Sequence, residues 1–503
     1  MENSPISDLV SFVYSPATFE KMSLLWRELL SRHYSGVVSG VGPVLNWNDP
    51  STLIQRAEAF LDHRNTARGD VSEPELLERF SLLVRTMLSS GQNLHHPHYI
   101  GHQVPASSPV AGLFDAVGTI TNQVMAIFEM GPWATAVEYA LVNRLAAKIG
   151  WDPQQSCGLL THGGSLANLT ALLTARNVRL PGSWEDGVPS NAVLLTHTDS
   201  HYCVSRTAGI LGLGTKQIAR IPVDARRKMR PDRLEEELQR LQREGRPVMA
   251  LSCCACATPT GAFDPLEEIA EICERYQVWM HVDAAHGGAA LMSRRHRSLL
   301  RGIERADSVV WDAHKMLFVP ALCAAVLYRQ RDVRFETFRQ NAPYLFDPSA
   351  PGLAEYDSGM RTIECTKRAT GFGLWGLWAI AGEEVFEQLV DRMFYMARTL
   401  YELIVDAEDF EPLHEPECNI LVFQYRPARL NSAPADLVNR FQREVRSRLI
   451  RSGHFYVVQT QLGDHAGLRV TMMNPATTET DLSELLNELR RIGREVLDGA
   501  SWC

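Results

Sequence analysis

Residues 308–329 read SVVWDAHKMLFVPALCAAVLYR. Two apolar runs rich in β-branched and small residues flank a single ammonium, Lys315, which directly follows a histidine. Short continuous apolar runs of this kind read as strands buried on both faces. Lysine is almost never fully buried unless it is paired or chemically modified, so a solvated surface lysine fits this neighbourhood poorly. Upstream, NAVLLTH, PVMALSCCA and QVWMHVDAA repeat the pattern between helical stretches from about residue 150 to 330. Strands that alternate with helices predict an α/β sheet, largely parallel. In FDPLEEIAEICERY, Asp264 is a candidate N-cap, Pro265 suits the first helical position and Glu267 completes a capping-box-like pattern. That helix is expected to run straight into VWMHVD.

Working outward, residues 1–90 carry apolar residues at three- and four-residue spacing in FEKMSLLWRELLSRHY and EPELLERFSLLVRTMLSS. Helices of this kind need a partner surface to cover their faces. Residues 91–110 form a loop rich in His, Pro and Gly, and a long helical region follows. After about residue 385, helical runs flank the short strands NILVFQY and LRVTMM, which suggests a smaller α+β domain. The expected division is an N-terminal helical segment 1–100, a large α/β domain 101–385 and a small C-terminal domain 386–503. No internal repeat or low-complexity segment is present.

The 503 residues are 45% hydrophobic and 22% charged, an ordinary globular composition that allows two or three domains. A net charge of −9 without a basic tract argues against a nucleic-acid or anionic-membrane partner. The start, MENSPISDLVSF, lacks the cationic and apolar regions of a signal peptide, and no apolar run reaches the roughly 20 residues of a spanning helix. Ten cysteines, all from Cys157 onward, do not resemble a disulfide framework and point to a reducing compartment, the cytoplasm. The cluster Cys253, Cys254 and Cys256 lacks the spacing of a zinc site, so no metal is expected.

Four pieces carry chemistry. Asp283 closes an apolar strand in WMHVDAAHGG, and strand C-termini of open α/β sheets are where ligands bind. Taken alone, such an Asp is more often a turn cap. In LLTHGGSLANLTALLTAR, a Gly-Gly turn leads into a helix opened by Ser165, and a helix start of this kind is a ready anion site. Many βα turns carry glycines for turn geometry only. GILGLG (209–214) fits neither a dinucleotide nor a Walker loop. His201 begins a helical run after a strand end, a place where a capping histidine is common. Together with Lys315 these are the parts a pyridoxal phosphate site requires. The amine forms a Schiff base with the aldehyde, and desolvation is expected to lower its pKa. The aspartate pairs with the pyridinium nitrogen, the helix start holds the phosphate and an imidazole stacks on the ring.

The chain resembles the group II pyridoxal-phosphate-dependent amino-acid decarboxylases, which act on glutamate, cysteine sulfinate, diaminobutyrate and aromatic amino acids. The resemblance runs from about residue 90 to 490, on HPHYIGHQ, EMGP, GGSLANLTALLTAR, DSHYCVSRTAGILGLG, PTGAFDPLEEIAEIC, HVDAAHGG, DAHK, YLFDP and LRVTMMNPATT. It implies a pyridoxal-phosphate-dependent transferase-like fold (fold type I) with a mostly parallel central sheet. It implies that Lys315 binds the cofactor with His314 beside it near the phosphate, that Asp283 pairs with the ring nitrogen and that Ala285 lies against the ring. His201 would stack on the opposite face, Gly164 and Ser165 would cradle the phosphate, and Thr258 would sit near the cofactor. Gln103 and Arg469 match positions that hold a substrate carboxylate. Tyr344, in the Pro/Gly-rich loop NAPYLFDPSAPGLAEYDSG, matches the tyrosine that returns a proton to carbon after carbon dioxide leaves. That loop acts together with a neighbouring subunit in the family, which implies a homodimer.

The chain departs from the glutamate and cysteine-sulfinate pattern in three places. SGMRTIECTKR (Ser358–Arg368) replaces a segment close to TGDKxIQCGR, His102 replaces an Asn, and Cys256-Ala257-Thr258 replaces Gly-Thr-Thr. These bear on the side-chain pocket. The expected activity is decarboxylation of an L-amino acid of the glutamate, diaminobutyrate or cysteine-sulfinate class. The alternatives are oxidative deamination, carbon–sulfur lysis, or a paralogue without turnover; retention of Lys315, Asp283 and Tyr344 speaks against the last.

Overall fold

The computed structural model describes residues 8–61, 72–338 and 354–499. Its central sheet has seven strands: β1 (Cys157–Thr161), β2 (Val193–His197), β3 (Ile218–Ile221), β4 (Val248–Cys254), β5 (Met280–Asp283), β6 (Ser308–Asp312) and β7 (Ala324–Tyr328). They lie in the order β1-β7-β6-β5-β4-β2-β3. Pairings among β2 to β6 are parallel, and β7 runs antiparallel to both of its neighbours. The expected mostly parallel α/β sheet is therefore present. The register brings Cys254 beside Asp283 and Asp283 beside Val310, so β4, β5 and β6 end at one edge.

The helix Gly164–Arg179 covers this sheet with a small-residue face: Ala167, Ala171 and Ala175 are fully buried, and Leu172 with them. Alanines four residues apart share one face and let the helix approach closely. They pack among Leu194, Ala250, Val310 and Val326 of the sheet. Burying a leucine such as Leu172 is worth roughly 1.5–3 kcal/mol relative to exposure.

The chain divides into two compact units, one of residues 1–100, 440–458 and 476–503, the other of residues 101–439 and 459–475. Residues 386–439 fall in the larger unit. Amphipathic periodicity shows that a helix has a face to bury, not which surface buries it. The larger unit also holds most of a four-stranded sheet, β8 (Phe410–Pro412), β9 (Ile420–Tyr425), β10 (Val458–Leu462) and β11 (His465–Thr471), in the order β8-β9-β11-β10. In the smaller unit, the helices Pro16–Val38 and Glu73–Ser90 confirm the N-terminal periodicity. The Glu75 carboxylate accepts from the Ser72 backbone N–H at 2.9 Å and so caps the second of these helices. Among the described residues no helix is long and apolar enough to cross a membrane.

One local expectation is corrected. The helix Leu266–Tyr276 starts after Pro265, which occupies the N-cap, and Asp264 does not cap it. The buried Asp264 carboxylate instead accepts from the backbone N–H groups of Met229 (2.7 Å) and Cys254 (2.8 Å). Two buried backbone donors outweigh a cap that water could replace.

Candidate active site

The C-terminal edge of β4, β5 and β6 opens into a cavity of about 290 Å³. Asp283 reaches it as the last residue of β5, and Ala285 follows in the next turn. The turn after β6 supplies His314 and Lys315. Gly164 and Ser165 reach it from the first turn of the helix Gly164–Arg179, and His201 as the N-cap of the helix Tyr202–Ile210. Thr258 comes from the loop after β4. Residues scattered over 150 positions of sequence thus line one space.

Lys315 stands just beyond the strand rather than within it, with 22% of its side chain exposed to the cavity. Its Nζ lies 3.1 Å from Asp312 Oδ2, while the Asp312 side chain is 1% exposed. Burial alone would lower the lysine pKa, but Asp312 and Asp283 together raise it above the ordinary lysine value. The expected lowered pKa is therefore not a property of the cofactor-free pocket, because two nearby carboxylates outweigh desolvation.

The histidines behave oppositely. Burial lowers the His201 pKa, and its Nδ1 accepts from the Cys203 N–H at 3.3 Å, which leaves the proton of the neutral ring on Nε2. His286 is pushed down to about 3 by burial and by Lys315, and its Nε2 donates to Asn419 Oδ1 at 2.8 Å, since an amide oxygen only accepts. His281, on β5 two residues before Asp283, is pushed down to about 4 by burial and spans Asn168 Oδ1 (2.8 Å) and Ser308 Oγ (2.9 Å). His314 Nδ1 meets the Cys323 carbonyl at 2.8 Å, which fixes its ring beside Lys315.

Gln103 and Arg469 do not line this cavity. Arg469 is buried and Gln103 half-buried, and each holds buried polar atoms with no hydrogen-bond partner among the described residues: Gln103 Nε2, and Arg469 Nε and Nη2. Arg469 sits on β11, 6% exposed, and burial lowers its pKa to about 10. Its charge acts on Cys256 and His286, two residues of the cavity wall. Tyr344 lies outside the described residues. Asp312, Asn168 and His286 reach the cavity without having been singled out, and Cys256, noted only as a cysteine without zinc spacing and as a departure from the family pattern, lines it too. For Asp312 a signal existed: an acid three residues before the lysine in DAHK.

The walls suit a flat, phosphate-bearing aldehyde. An amine faces a carboxylate-bearing strand end across the cavity, and the first N–H groups of a helix, which have no intrahelical acceptor, border it. Gly163, with φ of 107°, makes the left-handed step that turns β1 into that helix. At Gly164 a Cβ would fall 2.5 Å from Asp312 Oδ2, so backbone approaches the carboxylate as only glycine permits. Asp312 Oδ1 is buried and without a hydrogen-bond partner among the described residues.

Residues 68–426 match the family described as the pyridoxal-dependent decarboxylase conserved domain. Mouse CSAD is 28% identical in its crystal structure, with a TM-score of 0.86 over 95% of this chain and 99% of that one. The glutamate decarboxylase domain of diaminobutyrate-pyruvate transaminase and L-2,4-diaminobutyrate decarboxylase from Vibrio parahaemolyticus shares 22% identity at a TM-score of 0.81, covering 98% of this chain and 97% of that one. Oryza sativa TDC, solved with PLP and tryptamine, shares 21% at 0.83, covering 99% and 100%. The last two attest the fold alone. With most of its length inside the family match and its fold that of the fold type I enzymes, the chain belongs to the pyridoxal-dependent decarboxylase family and is a pyridoxal-phosphate-dependent carboxy-lyase.

Proposed function

We propose that the chain decarboxylates an L-amino acid of the glutamate, diaminobutyrate or cysteine-sulfinate class, and that its acidic members suit it best. When bound, pyridoxal phosphate supplies an aldehyde that condenses with amines and a ring that accepts the electron pair left as carbon dioxide departs. Lys315 Nζ holds the cofactor, Asp283 keeps a proton on the ring nitrogen, and the neutral His201 ring covers one face. Gly164 and Ser165 offer N–H groups to the phosphate, with His314 and Thr258 beside them and Ala285 small enough for a ring to lie against. Tyr344 returns a proton to the carbon that loses the carboxylate.

The observation that carries the substrate reading is Arg469, a buried guanidinium with two idle nitrogens. A carboxylate that must leave as neutral carbon dioxide gains nothing from a buried cation, because that attraction is lost in the transition state. Arg469, with Gln103, therefore suits a carboxylate that stays on the product.

Incubating the PLP-loaded protein with a panel of amino acids, while measuring carbon dioxide, amine and oxygen uptake, tests this. Glutamate or cysteine sulfinate is expected to give amine and carbon dioxide one to one without oxygen uptake. Turnover confined to aromatic amino acids, or oxygen consumed in step with carbon dioxide, would refute it. Lys315→Ala protein is expected to lack the visible absorbance of the bound cofactor.

A homodimer in the cytoplasm completes the proposal. Its support is the apolar surface on the N-terminal helices, with Val13 65% and Tyr14 84% exposed, and nine free cysteines among the described residues. Light scattering checks the mass.

A further inference from the structure

Asp312 is a buried carboxylate in the cavity wall with one oxygen unpaired among the described residues. Its side chain is 1% exposed, Oδ1 has no hydrogen-bond partner among the described residues, and Oδ2 lies 3.1 Å from Lys315 Nζ. A carboxylate is rarely buried with one oxygen idle unless a charge partner holds it. Here that partner is the lysine that the proposed function, on which this inference rests, assigns to the cofactor. The geometry fixes the pair in place. Asp312 ends β6, its N–H donates to the Ala285 carbonyl at 3.0 Å, and the Lys315 N–H donates to its carbonyl at 3.2 Å. The Gly164 backbone closes the other side, where a single added carbon would stand 2.5 Å from Oδ2.

We propose that Asp312 is a positioning residue for cofactor loading: it holds Lys315 as an ammonium in the cofactor-free protein and sets the pH above which that amine can react. An ammonium has no lone pair, so condensation with the aldehyde requires that Nζ first give up a proton. The neutral amine then bonds to the aldehyde carbon and one water is released. Among the described residues, the groups that face Nζ are few. Asp283 comes from the end of β5, His201 and Cys203 from the start of the helix Tyr202–Ile210, Cys256 from the loop after β4, His286 from the turn after β5, and His314 from its own segment. Burial holds His201 and His286 toward the neutral form and raises the thiols of Cys203 and Cys256, so among the described residues the anions facing Nζ are the two aspartates. Of these, only Asp312 hydrogen-bonds to it.

The test follows the rate at which cofactor-free protein takes up pyridoxal phosphate, read by visible absorbance across pH. Removing an opposite charge at this distance moves a pKa by about 1–3 units. Asp312→Asn and Asp312→Ala are both expected to shift the loading profile at least about one unit toward lower pH, which is about tenfold faster uptake near neutrality. Profiles that superimpose on the wild type overturn the proposal. So does a folded variant that takes up no cofactor at any pH, since Asp312 would then serve binding itself. A measurement on the wild type needs no variant: acylation of Lys315 in the cofactor-free protein, followed by peptide mass, is expected to titrate above an ordinary lysine, and titration at or below that value overturns the proposal. Lys315→Ala separates the two readings, because retention of the visible band there refutes the lysine assignment rather than the role of Asp312.

Discussion

Replacing Gly164 with alanine probes the tightest contact in the site. The added Cβ would lie 2.5 Å from Asp312 Oδ2, 2.9 Å from Oδ1 and 3.1 Å from the carboxyl carbon. Carbon and oxygen do not approach below about 3.0 Å without repulsion, so something must move. The helix start is held by Leu166 and Ala167, whose N–H groups donate to the Gly163 carbonyl at 3.1 Å. The carboxylate is buried and tied to Lys315, and its way out is into the cavity that the cofactor needs. Overpacking of this kind costs about 1–3 kcal/mol. If that cost is met on cofactor binding, PLP affinity falls about 5- to 150-fold. Titration of the cofactor-free variant with PLP, followed by absorbance, reads the affinity, and urea unfolding of the same protein reads how much of the cost appears without cofactor. Gly209→Ala is the control: it lies in the helix Tyr202–Ile210 with nothing within 4 Å of its Cβ position, so affinity should stay within about twofold of wild type. Gly164→Ala protein with wild-type affinity and wild-type urea midpoint would refute the reasoning.

Substitutions at a buried ion pair and at a buried carboxylate test the scaffold around the site. Lys367 and Glu138 form a pair with side chains 1% and 5% exposed, Nζ to Oε2 at 2.5 Å, and Nζ also donates to the Leu160 carbonyl at 2.7 Å. Lys367→Met strands a buried carboxylate and should cost about 3–5 kcal/mol by urea unfolding, whereas adding Glu138→Leu should recover most of it; a single-variant cost under about 1 kcal/mol contradicts this. Asp115, whose Oδ1 accepts from the Gly373 N–H at 2.7 Å, has its pKa pushed up to about 6 by burial, against an ordinary value of 3.8. Because the folded state holds this proton more tightly than the unfolded chain, stability falls as pH rises from about 4 to 6 and then levels. Asp115→Asn should therefore raise the urea midpoint more at pH 7.5 than at pH 4.5, and an equal change at both removes the argument.

Much of the site is legible in the chain before any coordinates. Asp283, Lys315, His201 and the Gly164-Ser165 helix start are each visible as a residue type at the end of a periodic run, because strand ends and helix starts are local consequences of side-chain periodicity. The order of the sheet is not local, and neither is the sign of the Lys315 pKa. An apolar flank argues for a lowered value; Asp312, three residues before the lysine, opposes it locally, but Asp283 reaches Nζ only after β5 and β6 lie side by side. Asp264 illustrates the same limit. Its place before Pro265 reads as a cap, yet its carboxylate serves backbone donors at Met229 and Cys254, one of them 35 residues away in sequence.

Sequence alone thus determined the class of fold and the chemical parts of the site, since alternating periodicity and residue type need no third dimension. Only tertiary structure decided how those parts are charged. Burial, distance and the pairing of Asp312 with Lys315 set the protonation states in the cavity, and electrostatic energy depends on separation through space rather than along the chain.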